Sequence, residues 1–483
     1  MNRRMVIYTL GEILLLEAAL MCLPAAVSLI YHETCARAFL LTIAVAALIS
    51  LLMIRFSRPA SQLIFAKDGF VIVALAWLGV SLVGCLPFII SGGIPSFADA
   101  FFETVSGFTT TGSSILTDVE SKAHGLLFWR SFTHWIGGMG VLVLIMALVP
   151  SGSGRTMHIL RAEMPGPIVG KLVPRVRDTA KILYIIYFVM TVLETILLWC
   201  GGDMDLFESL VHAFGTAGTG GFGIRGDSIG SYSAYTQWVI AAFMLLFGVN
   251  FNLYYFILIR KFRAAFASRE LWCYGGIVLV SATVVTINIA PLFAAFGERV
   301  RAAVFQVASI VTTTGYATEN FDQWPGLSRG ILFVLLFVGG CAGSTAGGLK
   351  ISRVMLLFRI VKRDLQRLLH PRSVGVIRLE GKRVDEETVR GVSAYFIVYC
   401  LLLLAVFLLL SFGSPEFSIE CNISAAITCL NNVGPGVGVI GPAGSFAGYS
   451  NFSKIVLSFA MLFGRLEIYP LLLALIPSTW TKK

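Results

Sequence analysis

The sequence predicts an all-α integral membrane protein built from four helix–pore loop–helix repeats with pseudo-fourfold symmetry around one axis, plus two N-terminal transmembrane helices. Three observations predict it. The chain of 483 residues is 57% hydrophobic and only 13% charged, whereas soluble domains carry roughly 25% charge. Many of its apolar runs reach the roughly 20 residues that a helix needs to span a bilayer. A small polar turn closing on glycine recurs four times, as Thr109-Thr110-Thr111-Gly112, Gly218-Thr219-Gly220, Thr312-Thr313-Thr314-Gly315 and Asn431-Asn432-Val433-Gly434.

The apolar segments are 5–30 and 38–56, 70–92 and 125–149, 182–200 and 232–259, 271–293 and 328–361, 393–412 and 452–476, which predicts ten crossings. Between them lie the mixed segments 97–108, 205–217, 300–311 and 418–430, each too short to span. They read as re-entrant helices, each delivering its chain to one of the glycine turns. Residues 1–66 form the N-terminal pair, 67–150 repeat 1, 151–268 a cytosolic linker with repeat 2, 269–361 repeat 3, and 362–483 a second linker with repeat 4. Aligning the turns on Gly112, Gly220, Gly315 and Gly434 places Phe102, Leu210, Phe305 and Ser424 at equal distances upstream.

The net charge of +10 is carried by alternate loops. Basic residues follow the second, fourth, sixth and eighth crossings and flank both ends of the chain. The positive-inside rule then places both termini in the cytoplasm and the four short segments as entering from outside. This charge pattern does not call for a nucleic-acid partner. Met1-Asn2-Arg3-Arg4 leads into a long apolar run without a small-residue cleavage site, so it reads as a retained helix. The nine cysteines contain no CxxC pair and read as small buried hydrophobes.

Irregular backbone within a bilayer is tolerated only where it is buried in protein or lines water. Four such turns around one axis therefore describe a pore whose carbonyl oxygens replace the water shell of a cation. The expected ion-binding residues are Thr110, Thr111 and Gly112, Gly218, Thr219 and Gly220, Thr313, Thr314 and Gly315, and Asn432, Val433 and Gly434. Glycine reaches left-handed dihedrals cheaply. The short helices direct their partly negative C-terminal ends at the ion. Oxygen donors without carboxylates in the turns favour a weakly hydrated monovalent cation over Ca²⁺ or Mg²⁺.

A second element interrupts the crossing after the third turn. In Gly339-Gly340-Cys341-Ala342-Gly343-Ser344-Thr345-Ala346-Gly347-Gly348, five glycines in ten residues disfavour continuous helix by nearly 1 kcal/mol each. The expectation is a flexible intramembrane gate, with Gly339, Gly340, Gly343, Ser344, Thr345, Gly347 and Gly348 as its working residues. Its Walker-like spacing fails at Leu349, where a phosphate loop needs lysine. Arg465 is a charge inside an apolar segment and is expected beside the pore, holding that loop or repelling the departing ion. His134 has no second ligand at metal spacing and reads as a packing histidine. Asn250 and Asn252 read as satisfying backbone between helices. No catalytic residues are expected, and no Asp or Glu relay stands out within the crossings.

Together these residues resemble the Trk/Ktr/HKT superfamily of potassium transport proteins, and within it the TrkH/TrkG-type membrane subunits. The strings that carry the resemblance are FWRSFTHWIGGMG (128–140), GGCAGSTAGG (339–348), NNVGPGVG (431–438) and GRLEI (464–468). The resemblance implies K⁺ uptake across the bacterial inner membrane through a K⁺-selective pore, with K⁺ as the bound transported ion and no organic cofactor on this chain. It implies a homodimer of pore subunits in membrane lipid, gated by a cytosolic TrkA-type regulatory ring that binds nucleotides. The family's gating loop falls on 339–348 and its pore arginine on Arg465. The alternatives are obligatory Na⁺- or H⁺-coupled symport and, from another class, an integral membrane enzyme with His134 as its base. Ala346 stands where glycine is frequent in the family, and Pro470 is expected to kink the last helix.

Overall fold

A computed structural model describes residues 1–58, 66–140, 176–373 and 375–481. The chain opens with α1 (Arg3–Leu20) and α2 (Cys22–Ile30), which continue one another, and α3 (Ala36–Phe56) packs back along them. Gly11 permits that approach, since a Cβ there would lie 3.0 Å from the Ser50 carbonyl oxygen on α3.

The remaining helices repeat one order. First come α4 (Ala66–Gly84) with its extension α5 (Leu86–Ile90), the short α6 (Phe97–Phe108) and α7 (His124–Gly138). Next are α8 (Val176–Cys200), the short α9 (Leu206–Gly218), α10 (Ala234–Phe247) and α11 (Phe251–Leu258), with α12 (Phe262–Phe266) as a connector. They are followed by α13 (Arg269–Asn288), the short α14 (Phe296–Val311), α15 (Gly326–Leu335) and α16 (Ile351–Leu369). Last come α17 (Glu386–Gly413), the short α18 (Ile419–Asn431), α19 (Asn451–Arg465) and α20 (Tyr469–Leu475). A small hairpin pairs Arg378–Leu379 with Lys382–Arg383.

Three of the four short helices start where the sequence supplies a side-chain cap, while α14 starts at Ala295 without one. Ser418 accepts from the Cys421 N–H at 3.2 Å, and Asp205 forms a reciprocal capping box with Glu208. Three of the short helices also pack against a long helix from the preceding unit. α9 lies on α7, α14 on α10, and α6 on α19, so the last unit closes onto the first.

Among the described residues six helices are long and apolar enough to cross a membrane: Arg3–Ile30, Ala36–Phe56, Lys67–Ile90, Asp178–Cys200, Arg269–Asn288 and Glu386–Gly413. Two further expected crossings are bent, α10/α11 by 92° and α19/α20 by 120°. The expected crossing 125–149 is seen through α7, with 141–149 outside the described residues, and 328–361 is split into α15 and α16. Pro470 does not make the last bend. The chain turns at Glu467 and Ile468, with φ of 53° and 69°, and Pro470 sits in the first turn of α20, where its missing N–H costs nothing. Of the cysteines, Cys35, Cys85, Cys341, Cys421 and Cys429 are buried as expected, while Cys22, Cys200 and Cys400 lie on the apolar exterior.

Packing at glycines gives a stability test. At Gly84 a Cβ would lie 2.8 Å from the Phe108 ring and 3.0 Å from Thr104, whereas nothing lies within 4 Å of one at Gly275. Gly84→Val should lower the apparent Tm in detergent by the equivalent of about 1–3 kcal/mol of overpacking. Gly275→Ala should leave it unchanged or raise it, by up to about 1 kcal/mol of helix propensity. Fluorescence-monitored thermal unfolding of both variants checks this.

Candidate ion pathway

Each short helix ends in the same backbone sequence. A left-handed residue follows it, Thr110, Thr219, Thr313 or Asn432, with φ between 55° and 56°. The next N–H, of Thr111, Gly220, Thr314 or Val433, reaches back five residues to the carbonyl of Ser106, Gly215, Ser309 or Thr428, at 2.8 to 3.0 Å. A glycine with positive φ comes next: Gly112, Gly221, Gly315 and Gly434.

This corrects the alignment of the second turn. The counterpart of Gly112 is Gly221, and Gly220 occupies the place of Thr111. The upstream equivalent of Phe102 is accordingly Val211, which is fully buried, rather than Leu210. Two adjacent glycines left the register open by one residue, and only the dihedrals distinguish them.

The four turns touch in a closed cycle. A Cβ on Gly112 would run into the Gly220 carbonyl, on Gly221 into that of Thr314, on Gly315 into that of Val433, and on Gly434 it would lie 2.8 Å from that of Thr111. Glycine is thus required twice over, for its dihedral and for the passage of the neighbouring carbonyl. The loops beyond the turns close a second cycle. Gly226 N–H donates to Glu120 at 3.2 Å, Ile229 N–H to the Ala317 carbonyl at 2.9 Å, Gly438 N–H to Asp322 at 2.8 Å, and Phe446 N–H to the Ser114 carbonyl at 2.9 Å.

The hydroxyls near the ring mostly fix backbone and one another. Thr111 and Thr314 each meet the hydroxyl two residues earlier, Thr109 or Thr312, at 2.7 Å. Asn432 Nδ2 donates to Thr111 Oγ1 and to the Met461 carbonyl, both at 2.9 Å. His134 packs between the first two units as expected. Its Nδ1 lies 2.8 Å from the Gly107 carbonyl, and its ring fills the space a Cβ on Gly220 would need.

Sequence reading missed the ion pair behind these turns. Glu103 on α6 meets Arg130 Nε on α7 at 2.5 Å, with both side chains buried. Glu103 also accepts from Ser114 Oγ and Ile115 N, each at 2.9 Å, and Arg130 donates to the Gly223 carbonyl at 2.9 Å and stacks on Phe222. The pair joins the chain leaving the first turn to the chain leaving the second.

Residues 339–348 form an irregular segment packed against the ring. Gly347 N–H donates to Thr313 Oγ1 at 2.6 Å, and a Cβ on Gly347 would lie 2.6 Å from the Asn431 carbonyl. Cys341 N–H donates to the Gly248 carbonyl and Phe251 N–H to that of Gly343, both at 3.0 Å, across the break between α10 and α11. Asn250 caps α11 there, accepting from Asn252 N at 2.9 Å. Glu270 accepts from Ala342 N at 2.8 Å and Ser352 N at 3.1 Å. Gly343 and Gly348 take positive φ, of 74° and 66°. Arg465 Nη1 donates to the Thr345 carbonyl at 3.0 Å, and Nη2 to those of Gly137 and Gly138 at 2.5 and 2.6 Å. Arg465 thus ties the segment to the end of α7. Glu467 pairs with Arg353 on α16, and the Lys350 ammonium donates to the Ala346 carbonyl.

The sequence showed no Asp or Glu relay within the crossings, and it left two buried carboxyl groups unremarked. Glu17 and Glu194 are buried in apolar helices. They lie on separate helices, α1 and α8, and were hidden by the strong hydropathy around them.

The family model described as "TrkH: Cation transport protein" matches residues 33–272 and 277–482. Relatives include the Trk system potassium uptake protein TrkH of Escherichia coli (strain K12), 36% identical over 99% of this chain and 100% of that protein. TrkG of the same strain is 32% identical over 97% of each chain. The crystal structure of the potassium transporter TrkH from Vibrio parahaemolyticus superposes with a TM-score of 0.88 at 32% identity, over 100% of both chains. The matches span nearly the whole sequence, and the relatives are transport proteins rather than enzymes: this chain belongs to the TrkH family of cation transport proteins.

Proposed function

We propose that this protein is the pore subunit of a potassium uptake system in the bacterial inner membrane. The observation that carries the reading is the closed cycle of four left-handed turns, each bringing a carbonyl against the glycine of the turn before it. Four repeats with pseudo-fourfold symmetry, bounded as the sequence suggests, supply one turn each. K⁺ sheds water into the carbonyls of the turns, with Gly221 added to the set read from sequence. Carbonyl dipoles suit a large, weakly hydrated ion, and hydroxyls mostly committed to backbone and to one another leave the backbone to do the coordinating.

In this reading residues 339–348 are the gate below the ring. Hydrogen bonds from Gly347 to Thr313 and from Arg465 to Thr345 hold it closed. The names of the Trk-system relatives support a multi-component assembly. The proposed assembly is a homodimer with a cytosolic, nucleotide-binding TrkA-type ring, both termini lying on the ring's side. The basic segment 362–391 is a docking surface for it.

Three liposome measurements test this. Gly315→Asp and Gly221→Ala should each abolish the preference for K⁺ over Na⁺; normal selection by the first refutes the ring as filter, and by the second returns the second turn to Gly220. Thr313→Val removes the acceptor for Gly347 N–H, so regulator-free K⁺ flux should rise about fivefold, the equivalent of about 1 kcal/mol, while Thr313→Ser stays near wild type. Uptake driven by voltage alone, without Na⁺ or proton gradients, should proceed; its absence would establish obligatory symport.

A further inference from the structure

Glu194 lies within α8, fully buried. Among the described residues no hydrogen-bond donor reaches either of its carboxyl oxygens. The Thr216 hydroxyl on the adjoining α9 lies beside it, and Tyr316, which directly follows the third turn, lies beside Thr216. The position is close to the ring. Thr216 supplies the carbonyl that accepts the Thr219 N–H at 2.9 Å, at the start of the second turn. The Tyr316 hydroxyl donates to the carbonyls of His212 at 3.2 Å and Phe222 at 3.1 Å, joining the third turn to the second.

Donor and acceptor counting then decides the chemistry. A threonine hydroxyl has one proton, and that of Thr216 is committed to the His212 carbonyl at 2.9 Å. The Tyr316 proton is likewise committed to carbonyls. An ionised Glu194 would bring only acceptors to a place where neighbouring oxygens also only accept. An isolated carboxylate in such surroundings is strongly disfavoured. A protonated carboxyl supplies the missing donor and satisfies itself and Thr216 together.

We propose that Glu194 is a neutral carboxylic acid that donates its proton to the Thr216 hydroxyl, and that this bond positions the second turn of the ring. The chain it completes runs from Glu194 to Thr216, to the His212 carbonyl, and back through Tyr316 to the third turn. Glu194 is a positioning residue: it sets where the carbonyls of Gly218 and Gly220 stand without touching the ion. Its effect on selection rests on the filter reading above; its protonation does not.

Two measurements on the full-length purified protein test this. The first is the infrared difference between wild type and Glu194→Gln at neutral pH. A carboxylic-acid C=O stretch should be present in wild type and missing from the variant; its absence from wild type overturns the proposal. The second is the K⁺ over Na⁺ flux ratio in liposomes. Glu194→Gln keeps a donor and should stay within about twofold of wild type, whereas Glu194→Leu should lose about fivefold, the scale of one hydrogen bond. Equal behaviour of Gln and Leu overturns the donor role. Should Glu194→Leu not fold, Thr216→Val serves instead: selection should fall similarly and the acid band should move to higher frequency, and no change in either overturns the proposal. A missing acid band alongside a selectivity-dead Gly315→Asp refutes this inference alone, whereas a selective Gly315→Asp refutes the filter reading whatever the band shows.

Discussion

Four backbone turns must meet within a membrane without leaving peptide groups stranded, and the rest of the molecule follows from that constraint. A left-handed residue that is not glycine costs roughly 1–2 kcal/mol. Thr110, Thr219, Thr313 and Asn432 all adopt that conformation, and such strain persists only where the surroundings over-determine it. Here they do so by hydrogen bonds back into the short helices and by contact with the neighbouring turn. No turn can relax alone, because its carbonyl occupies the space above the preceding turn's glycine.

The supports lie behind the ring rather than in it. The buried pair of Glu103 and Arg130 fastens the first turn's exit to the second's. Removing one partner of such a pair leaves an uncompensated charge, at about 3–5 kcal/mol, so the pair makes the geometry specific more than it makes the fold stable. His134 fills the gap beside Gly220, and Asn432 ties the fourth turn to both the first turn and α19. These contacts differ at each corner. Whatever symmetry the repeats impose on the backbone, the chemistry around it is unequal.

What was legible in the sequence was whatever hydropathy and glycine report. The long helices, the short helices between them, the four turns and the irregular run at 339–348 all stand out, because a bilayer penalises polar backbone and glycine marks where the helix stops. The one-residue register at Gly220 and Gly221 was hidden, since both lack a side chain and composition cannot tell which carries the positive φ. Glu103 paired with Arg130 was hidden because the partners are 27 positions apart and meet only in three dimensions. Glu194 was hidden by the apolar residues surrounding it. The break of the last helix was attributed to Pro470, the residue known for kinks, yet it falls at Glu467 and Ile468, where an ion pair to Arg353 and the packing around Ile468 override local preference.

The segment 339–348 is built differently from everything around it. Much of its hydrogen bonding goes outward, to Gly248, Glu270, Thr313 and Arg465, and only short links such as Ser344 to Cys341 stay within it. A stretch held largely by its neighbours responds to them, as a continuous helix with its own ladder does not. Two of those neighbours are connected elsewhere. Thr313 belongs to the third turn, while Arg465 also grips the last carbonyls of α7 and sits two residues before the Glu467 that binds α16. Arg353 on α16 is thus joined through Glu467 and Arg465 to the Thr345 carbonyl, while the direct covalent route runs from α16 through Lys350 into the same segment. Both routes lead into the segment whose Gly347 touches Thr313, so α16 and the third turn share one irregular segment between them.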